Sequence, residues 1–262
     1  MAFANINGTV LHYEYLTEEE DAPVVVFANS LGTDFRIWLP LLDELAADWS
    51  ILLYDKRGHG LSELGKTPYA IEDHADDLIG LCRHLGIKKA VFVGLSVGGQ
   101  IVQSLYARKP DLVEKIVLSN TGHKIGTADI WNGRIAKVEK DGIEAIADAT
   151  MERWFTKEYR DRHKAELTGY RTMLTRQDAR GYTATSAAVR DADFTAGLSK
   201  IKVPVLCIAG DQDGSTPADL VRSMAEQIPG AQFELIKSAG HIPNVEQAEK
   251  VAALLTEFVD GE

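Results

Sequence analysis

The chain has 262 residues, 45% of them hydrophobic and 26% charged, with a net charge of −11. A chain of that length buries enough apolar surface to fold without a metal or disulfide staple, and the composition excludes disordered, collagen-like and coiled-coil classes. The acidic balance excludes a basic nucleic-acid footprint, and it would weakly repel an anionic substrate unless the site carries its own cations.

In chain order, Met1 to Gly8 show no basic region followed by an apolar run, so no signal peptide is expected. No apolar stretch reaches the roughly 18 residues of a membrane span. A cytoplasmic protein without membrane or nucleic-acid partners is therefore expected. Asn7-Gly8 lies between two alternating runs, Phe3–Ile6 and Val10–Leu16, which predicts a hairpin. Val24–Ala28 is a continuous apolar run, as are Ile51–Tyr54, Ala90–Val93, Ile116–Leu118 and Val205–Ala209. Such runs suit strands buried on both faces of a parallel sheet. A more mixed run, Gln232–Ile236, predicts a last strand.

Helical spacing of apolar residues marks Ile37–Leu45, Ile71–Leu85, Ile101–Tyr106, Leu220–Ile228 and Val245–Phe258. Alternation of strand and helix predicts an α/β fold with a mostly parallel sheet flanked by helices. One segment breaks the alternation. Between about Gly122 and Lys200 the strand pattern is missing, and Ile135–Thr150, Tyr159–Leu174 and Asp178–Ala188 read as helices. The expected organisation is a core of residues 1–121 and 201–262 with a helical cap, 122–200, inserted before the last two strands. The two cysteines, Cys82 and Cys207, lie far apart and outside any Cys-x-x-Cys pair. Neither a zinc site nor a redox motif is supported, and two buried free thiols are expected.

The sharpest motif is Gly94-Leu95-Ser96-Val97-Gly98. It follows a strand-like run and opens a helix-like one, which is the context of a nucleophile elbow. A serine on such a turn is exposed, and its close neighbours must be glycine for steric reasons. The Val97 N–H at the helix start then faces any negative charge developing at the serine. A serine hydroxyl needs a base, and elbow enzymes order their residues serine, acid, histidine. Of seven histidines, only His241 lies in a loop after the last predicted strand. The acid should follow Val205–Ala209, where Asp211 and Asp213 are both available. The second oxyanion donor should come from the loop after Val24–Ala28, with Leu31 N–H as the candidate.

Together these features resemble the α/β-hydrolase superfamily over nearly the whole chain. The Asp55-x-Arg57-Gly58-x-Gly60-x-Ser62 string matches a recurrent loop of that superfamily and reads as structural. Within the superfamily the chain resembles the 3-oxoadipate enol-lactonases. The resemblance is carried by Asn29-Ser30-Leu31-Gly32-Thr33-Asp34, by Ser119-Asn120-Thr121 with Ile125-Gly126-Thr127 and Trp131, and by Arg153-Trp154-Phe155-Thr156. It implies Asp213 as the acid, with Asp211 left to a turn. It also implies a serine hydrolase that opens a small anionic lactone without a metal or cofactor. Asn29, Trp131 and Arg134 are the substrate-binding candidates. Arg134 is chosen from six cap cations (Lys124, Arg134, Arg153, Arg171, Arg176, Arg190) because it lies one helical turn after Trp131.

Val97 and Gly122-His123-Lys124 depart from the enol-lactonase pattern and are expected near the pocket mouth. The alternatives are a general carboxylesterase or cofactor-free perhydrolase on the same triad and, more remotely, a receptor for small molecules. A homo-oligomer is compatible with all of them.

Overall fold

The computed structural model describes residues 1–18, 22–45 and 48–261. Eight strands form one sheet: β1 Ala2–Ile6, β2 Thr9–Leu16, β3 Val24–Ala28, β4 Ser50–Tyr54, β5 Ala90–Leu95, β6 Val113–Ser119, β7 Val205–Gly210 and β8 Gln232–Ile236. Their order is β1-β2-β4-β3-β5-β6-β7-β8, with β2 antiparallel to both of its neighbours, β1 and β4, and the remaining pairs parallel. All six predicted strand runs and the hairpin form. Asn7 and Gly8 both take positive φ, and Ile6 pairs with Thr9 across a two-residue turn.

The most apolar runs occupy the centre. Every residue of β5 and β7 is buried, whereas the mixed edge strand β8 alternates and buries only Ile236 fully. Helices pack on the sheet as an α/β architecture requires. The helices are α1 Leu39–Leu42, α2 Ile71–His84, α3 Val97–Arg108, α4 Ala128–Asp141, α5 Glu144–Trp154, α6 Lys157–Arg162, α7 Lys164–Thr175, α8 Ala179–Asp191, α9 Thr195–Leu198, α10 Ala218–Ala225, α11 Pro243–Glu246 and α12 Ala248–Asp260, and among them α2, α3 and α10 pack against strands of the sheet. Helices α4 to α9 all fall between β6 and β7.

The helix boundaries differ from the sequence reading at four breaks. The expected Ile37–Leu45 helix is a 3₁₀ turn, Phe35–Trp38, followed by α1, with Pro40 in its first turn. Proline lacks the amide an interior helical position would donate. The expected Ile135–Thr150 helix is α4 and α5, parted at Gly142 with φ 78°, a left-handed value that ends helices readily. Tyr159–Leu174 divides at His163, and Val245–Phe258 at Gln247 with φ −137°. Cys82 and Cys207 are free and buried.

The loop after β4 turns back through Arg57, whose Nε and terminal nitrogen donate to the two Asp77 oxygens of α2 at 2.6 and 2.7 Å. Both side chains are buried. The pair ties the loop to the helix beneath it, as expected from a structural role. Breaking a buried pair strands the other charge. Arg57→Ala is expected to cost about 3 kcal/mol of stability, measured by urea unfolding; a loss below about 0.5 kcal/mol would contradict the assignment.

Candidate active site

Strand β5 runs directly into Ser96, the one residue between it and α3. Ser96 takes φ 58° and ψ −119°, a strained conformation for a non-glycine residue. Its neighbours permit this. A Cβ on Gly98 would collide with the Ala28 carbonyl of β3, and one on Gly94 with the Gly98 carbonyl. Two further bonds hold the turn: Ser96 N–H donates to Ser119 O at 3.0 Å, and Thr121 Oγ1 donates to Ser96 O at 2.6 Å.

Asp213 follows β7, and His241 lies in the loop after β8. His241 Nδ1 donates to Asp213 Oδ2 at 2.8 Å, and both side chains are buried. A carboxylate only accepts, so this bond fixes the Nδ1–H tautomer and leaves Nε2 as the base. Asp213 is fully engaged. Its Oδ2 also accepts from Thr216 Oγ1 at 2.6 Å and Asn120 Nδ2 at 2.8 Å, and its Oδ1 accepts from Ser215 N–H and Thr216 N–H. Burial pushes the Asp213 carboxyl up. His241 and the donors Thr216 and Asn120 outweigh that and hold it below the usual carboxylate value. Asp211 stays in the turn, where its N–H donates to Ile236 O and its Oδ1 accepts from Ala239 N–H.

Ser96 and His241 line one cavity of about 260 Å³. Leu31 lines the same cavity, and Val97 opens α3, where the first amides have no intrahelical acceptor. Ser96, His241 and Leu31 thus line one cavity with Trp131 and Arg134 of α4, Asp213 being bonded to His241 and Val97 following Ser96 in the chain. Among the described residues no hydrogen bond joins Ser96 Oγ to His241. Such bonds are often long without substrate.

Asn29 is not brought there. Its Nδ2 donates to Thr33 O at 2.6 Å, so it stitches the β3 loop and does not line the cavity. The side chains of Val97 and His123 also lie outside the lining. The Val97 side chain is buried, and Lys124 pairs at the surface with Asp193.

The wall of the cavity also carries charge. The Arg134 guanidinium sits over the Trp131 ring, 4.8 Å from its centroid, and Trp131 Nε1 donates to Ile125 O at 2.6 Å. Arg153 of α5 faces the same space, and its terminal nitrogen donates to Thr150 Oγ1 at 2.9 Å. Three of the other cap cations are consumed elsewhere: Arg171 pairs with Glu144 and Asp148, Arg190 with Asp191, and Lys124 with Asp193. Among the described residues neither Arg134 nor Arg153 forms an ion pair. Burial and the charge of Arg134 together pull the Arg153 guanidinium below its usual value. Two unneutralised cations beside one cavity are mutually repulsive until an anion enters.

Arg153, another of the six candidate cations, thus joins Arg134 at the cavity. Asn120, at φ 44°, and Glu246 are supports to which the sequence assigns no role. Glu246 Oε1 accepts from Thr156 N–H and Oγ1, and its Oε2 accepts from Gly240 N–H at 2.5 Å. It joins the end of α5 to the histidine loop, as does the His241 N–H bond to Trp154 O at 2.8 Å. Two strings singled out in the sequence contain these contacts, Ser119-Asn120-Thr121 with Asn120 and Arg153-Trp154-Phe155-Thr156 with the Trp154 and Thr156 partners.

Residues 23–248 match the family described as alpha/beta hydrolase fold. The chain is 34% identical over 231 residues to 3-oxoadipate enol-lactonase 2 of Acinetobacter baylyi, covering 88% of this chain and 86% of that protein. It is 27% identical to a protein named for carbamate hydrolysis, RutD of Agrobacterium fabrum, covering 95% and 98%. The crystal structure of the enol-lactonase from Burkholderia xenovorans superimposes with a TM-score of 0.96 at 38% identity, covering 99% of this chain and 100% of that one.

Proposed function

The chain belongs to the α/β-hydrolase fold family and is a hydrolase, and within that family we propose that it opens 3-oxoadipate enol-lactone. The observation that carries this reading is the pair of unneutralised guanidiniums, Arg134 and Arg153, on the wall of the cavity that holds Ser96 and His241. A lactone with a free carboxylate places its carbonyl at the serine and its anion at the arginines, and a cavity of about 260 Å³ suits a small substrate. Similarity to enol-lactonases supports the same substrate.

Ser96 Oγ attacks the lactone carbonyl while His241 Nε2 takes its proton, and Asp213 stabilises the imidazolium. Leu31 and Val97 N–H groups bind the oxyanion. Collapse breaks the ring C–O bond, and His241 returns the proton to the departing enol oxygen. The enol becomes a ketone, and the acyl group stays on Ser96. Water, deprotonated by His241, then releases the acid. Residues 1–121 and 201–262 serve as the catalytic core and residues 122–200 as a cap that supplies the anion subsite.

Charge-assisted bonds of this kind are worth about 1.5–3 kcal/mol. Arg134→Met and Arg153→Met are each expected to raise KM for the lactone ~10- to 100-fold, while turnover of p-nitrophenyl acetate stays within about twofold. Steady-state kinetics on both substrates test this. An unchanged lactone KM in both variants would sink the anion subsite and leave a general carboxylesterase.

A further inference from the structure

Lys56 is an unexpected residue to find inside this molecule. It follows β4 in the Asp55–Ser62 loop and is 1% exposed. Its Nζ donates to Ser30 O at 2.6 Å and lies 3.5 Å from Thr33 O. Ser30 O also accepts from Thr33 Oγ1 at 3.0 Å and Thr33 N–H at 3.4 Å. The Ser30 carbonyl and the Leu31 N–H belong to one peptide unit, and that unit is trans. In a trans peptide the two groups point in opposite directions. Lys56 does not line the cavity, whereas Ser30 and Leu31 do. A cation gripping the oxygen from the buried side therefore turns the N–H toward the cavity.

We propose that Lys56 is a positioning residue for the oxyanion hole, its buried ammonium holding the Ser30–Leu31 peptide so that Leu31 N–H is aimed at the charge formed on the carbonyl attacked by Ser96. The proposal rests on the serine mechanism above. Lys56 acts in two ways. It fixes the peptide plane before substrate arrives, which is the preorganisation an oxyanion hole requires. A charged donor on the oxygen also polarises the peptide and strengthens its N–H as a donor. Among the described residues the hydrogen bonds of the buried ammonium go to Ser30 O and Thr33 O, both carbonyls of the loop that carries Leu31.

The surroundings make the charge of Lys56 sensitive to pH. Burial lowers its pKa to about 7, against Asp55 and Asp34, which hold it up. His59 and His74 also face it. Burial first, and then the charge of Lys56, keeps both imidazoles well below their usual value. Asp55 is engaged by His12 and the Phe35 and Leu61 amides, and Asp34 by Arg36. As pH rises past about 7 the folded protein loses the Lys56 proton while the unfolded chain keeps it. The unfolded state then binds more protons, so stability rises with pH. Turnover moves the other way, because a neutral amine grips Ser30 O less strongly than an ammonium.

The test compares wild type with Lys56→Met, which keeps the stem and removes the charge. The expected result is a kcat lowered ~10- to 100-fold with lactone KM and adipate affinity within about twofold. Affinity for 4-boronobutanoic acid should fall in step with kcat. That probe adds Ser96 Oγ to boron, passes the proton to His241 and places an anionic boronate oxygen in the hole. The melting-temperature difference, wild type minus Lys56→Met, should grow between pH 7 and about 9 while the ratio of turnovers shrinks. If Lys56→Met does not fold, Thr33→Val removes the hydroxyl donor to Ser30 O and should lower kcat by about threefold with adipate affinity kept. A folded variant with unchanged kcat overturns the proposal, as does a kcat that falls only together with adipate affinity. Ser96→Ala separates the two levels. If it stays active, the serine mechanism fails; if it is inactive and Lys56→Met is normal, only the role of Lys56 fails.

Discussion

Ser96→Ala is expected to lower lactone turnover by about 10⁵- to 10⁶-fold, with affinity for adipate and melting temperature nearly unchanged. The serine is the acyl acceptor, so its loss removes the covalent path rather than one contact. The oxyanion donors and the arginines remain and still bind the anion. The unchanged fold has a local cause. The elbow is held by Ser119 O, Thr121 Oγ1 and the close approach of Gly98 to Ala28, not by the Ser96 hydroxyl. Stopped-flow absorbance on the lactone and calorimetry with adipate measure the two halves. A Ser96→Ala protein retaining a tenth of the wild-type rate would mean that another group carries the chemistry.

Asp213→Asn is expected to lower kcat by about 10⁴-fold. Both Asp213 oxygens are acceptors here: Oδ2 takes donors from His241, Thr216 and Asn120, and Oδ1 takes two backbone N–H groups. An amide NH₂ is wrong at either position. Placed toward His241, it forces the proton from Nδ1 to Nε2, and the base can no longer accept from Ser96. Placed toward Ser215 and Thr216, it opposes two donors and loosens the loop. The aspartate is held below its usual pKa, so it stays ionised through neutral pH. The stability it contributes is present above the ordinary carboxylate value and is lost as pH falls through its lower folded value. In Asp213→Asn that acid-side loss should shrink, as acid unfolding followed by circular dichroism will report. A variant with near-normal kcat would contradict the orienting role of Asp213.

The parts of the site that sequence made legible are those governed by local chemistry. Asn7-Gly8 dictates its hairpin turn because few other pairs take positive φ twice. Ser96 announces itself because strand, glycine and helix must follow one another within a few residues. His241 follows from chain order. The supports are different, because each joins residues far apart in the chain. Lys56 reaches Ser30 across 26 positions, Glu246 reaches Thr156 across 90, and Asn120 reaches Asp213 across 93. No periodicity or spacing encodes such contacts. The same limit applies at the cavity wall, where Asn29 closes its own loop and helix packing brings Arg153 beside Arg134. The helix breaks at His163 and Gln247 carry no sequence mark, because neither residue is a glycine or proline.

The enol-lactone itself gives the most direct measurement. Purified protein is mixed with enzymatically generated 3-oxoadipate enol-lactone, and the loss of its ultraviolet absorbance is followed beside p-nitrophenyl acetate hydrolysis. The site described here predicts fast lactone loss with poor ester turnover, because only the lactone carries an anion for Arg134 and Arg153. Good ester turnover without lactone loss would contradict it.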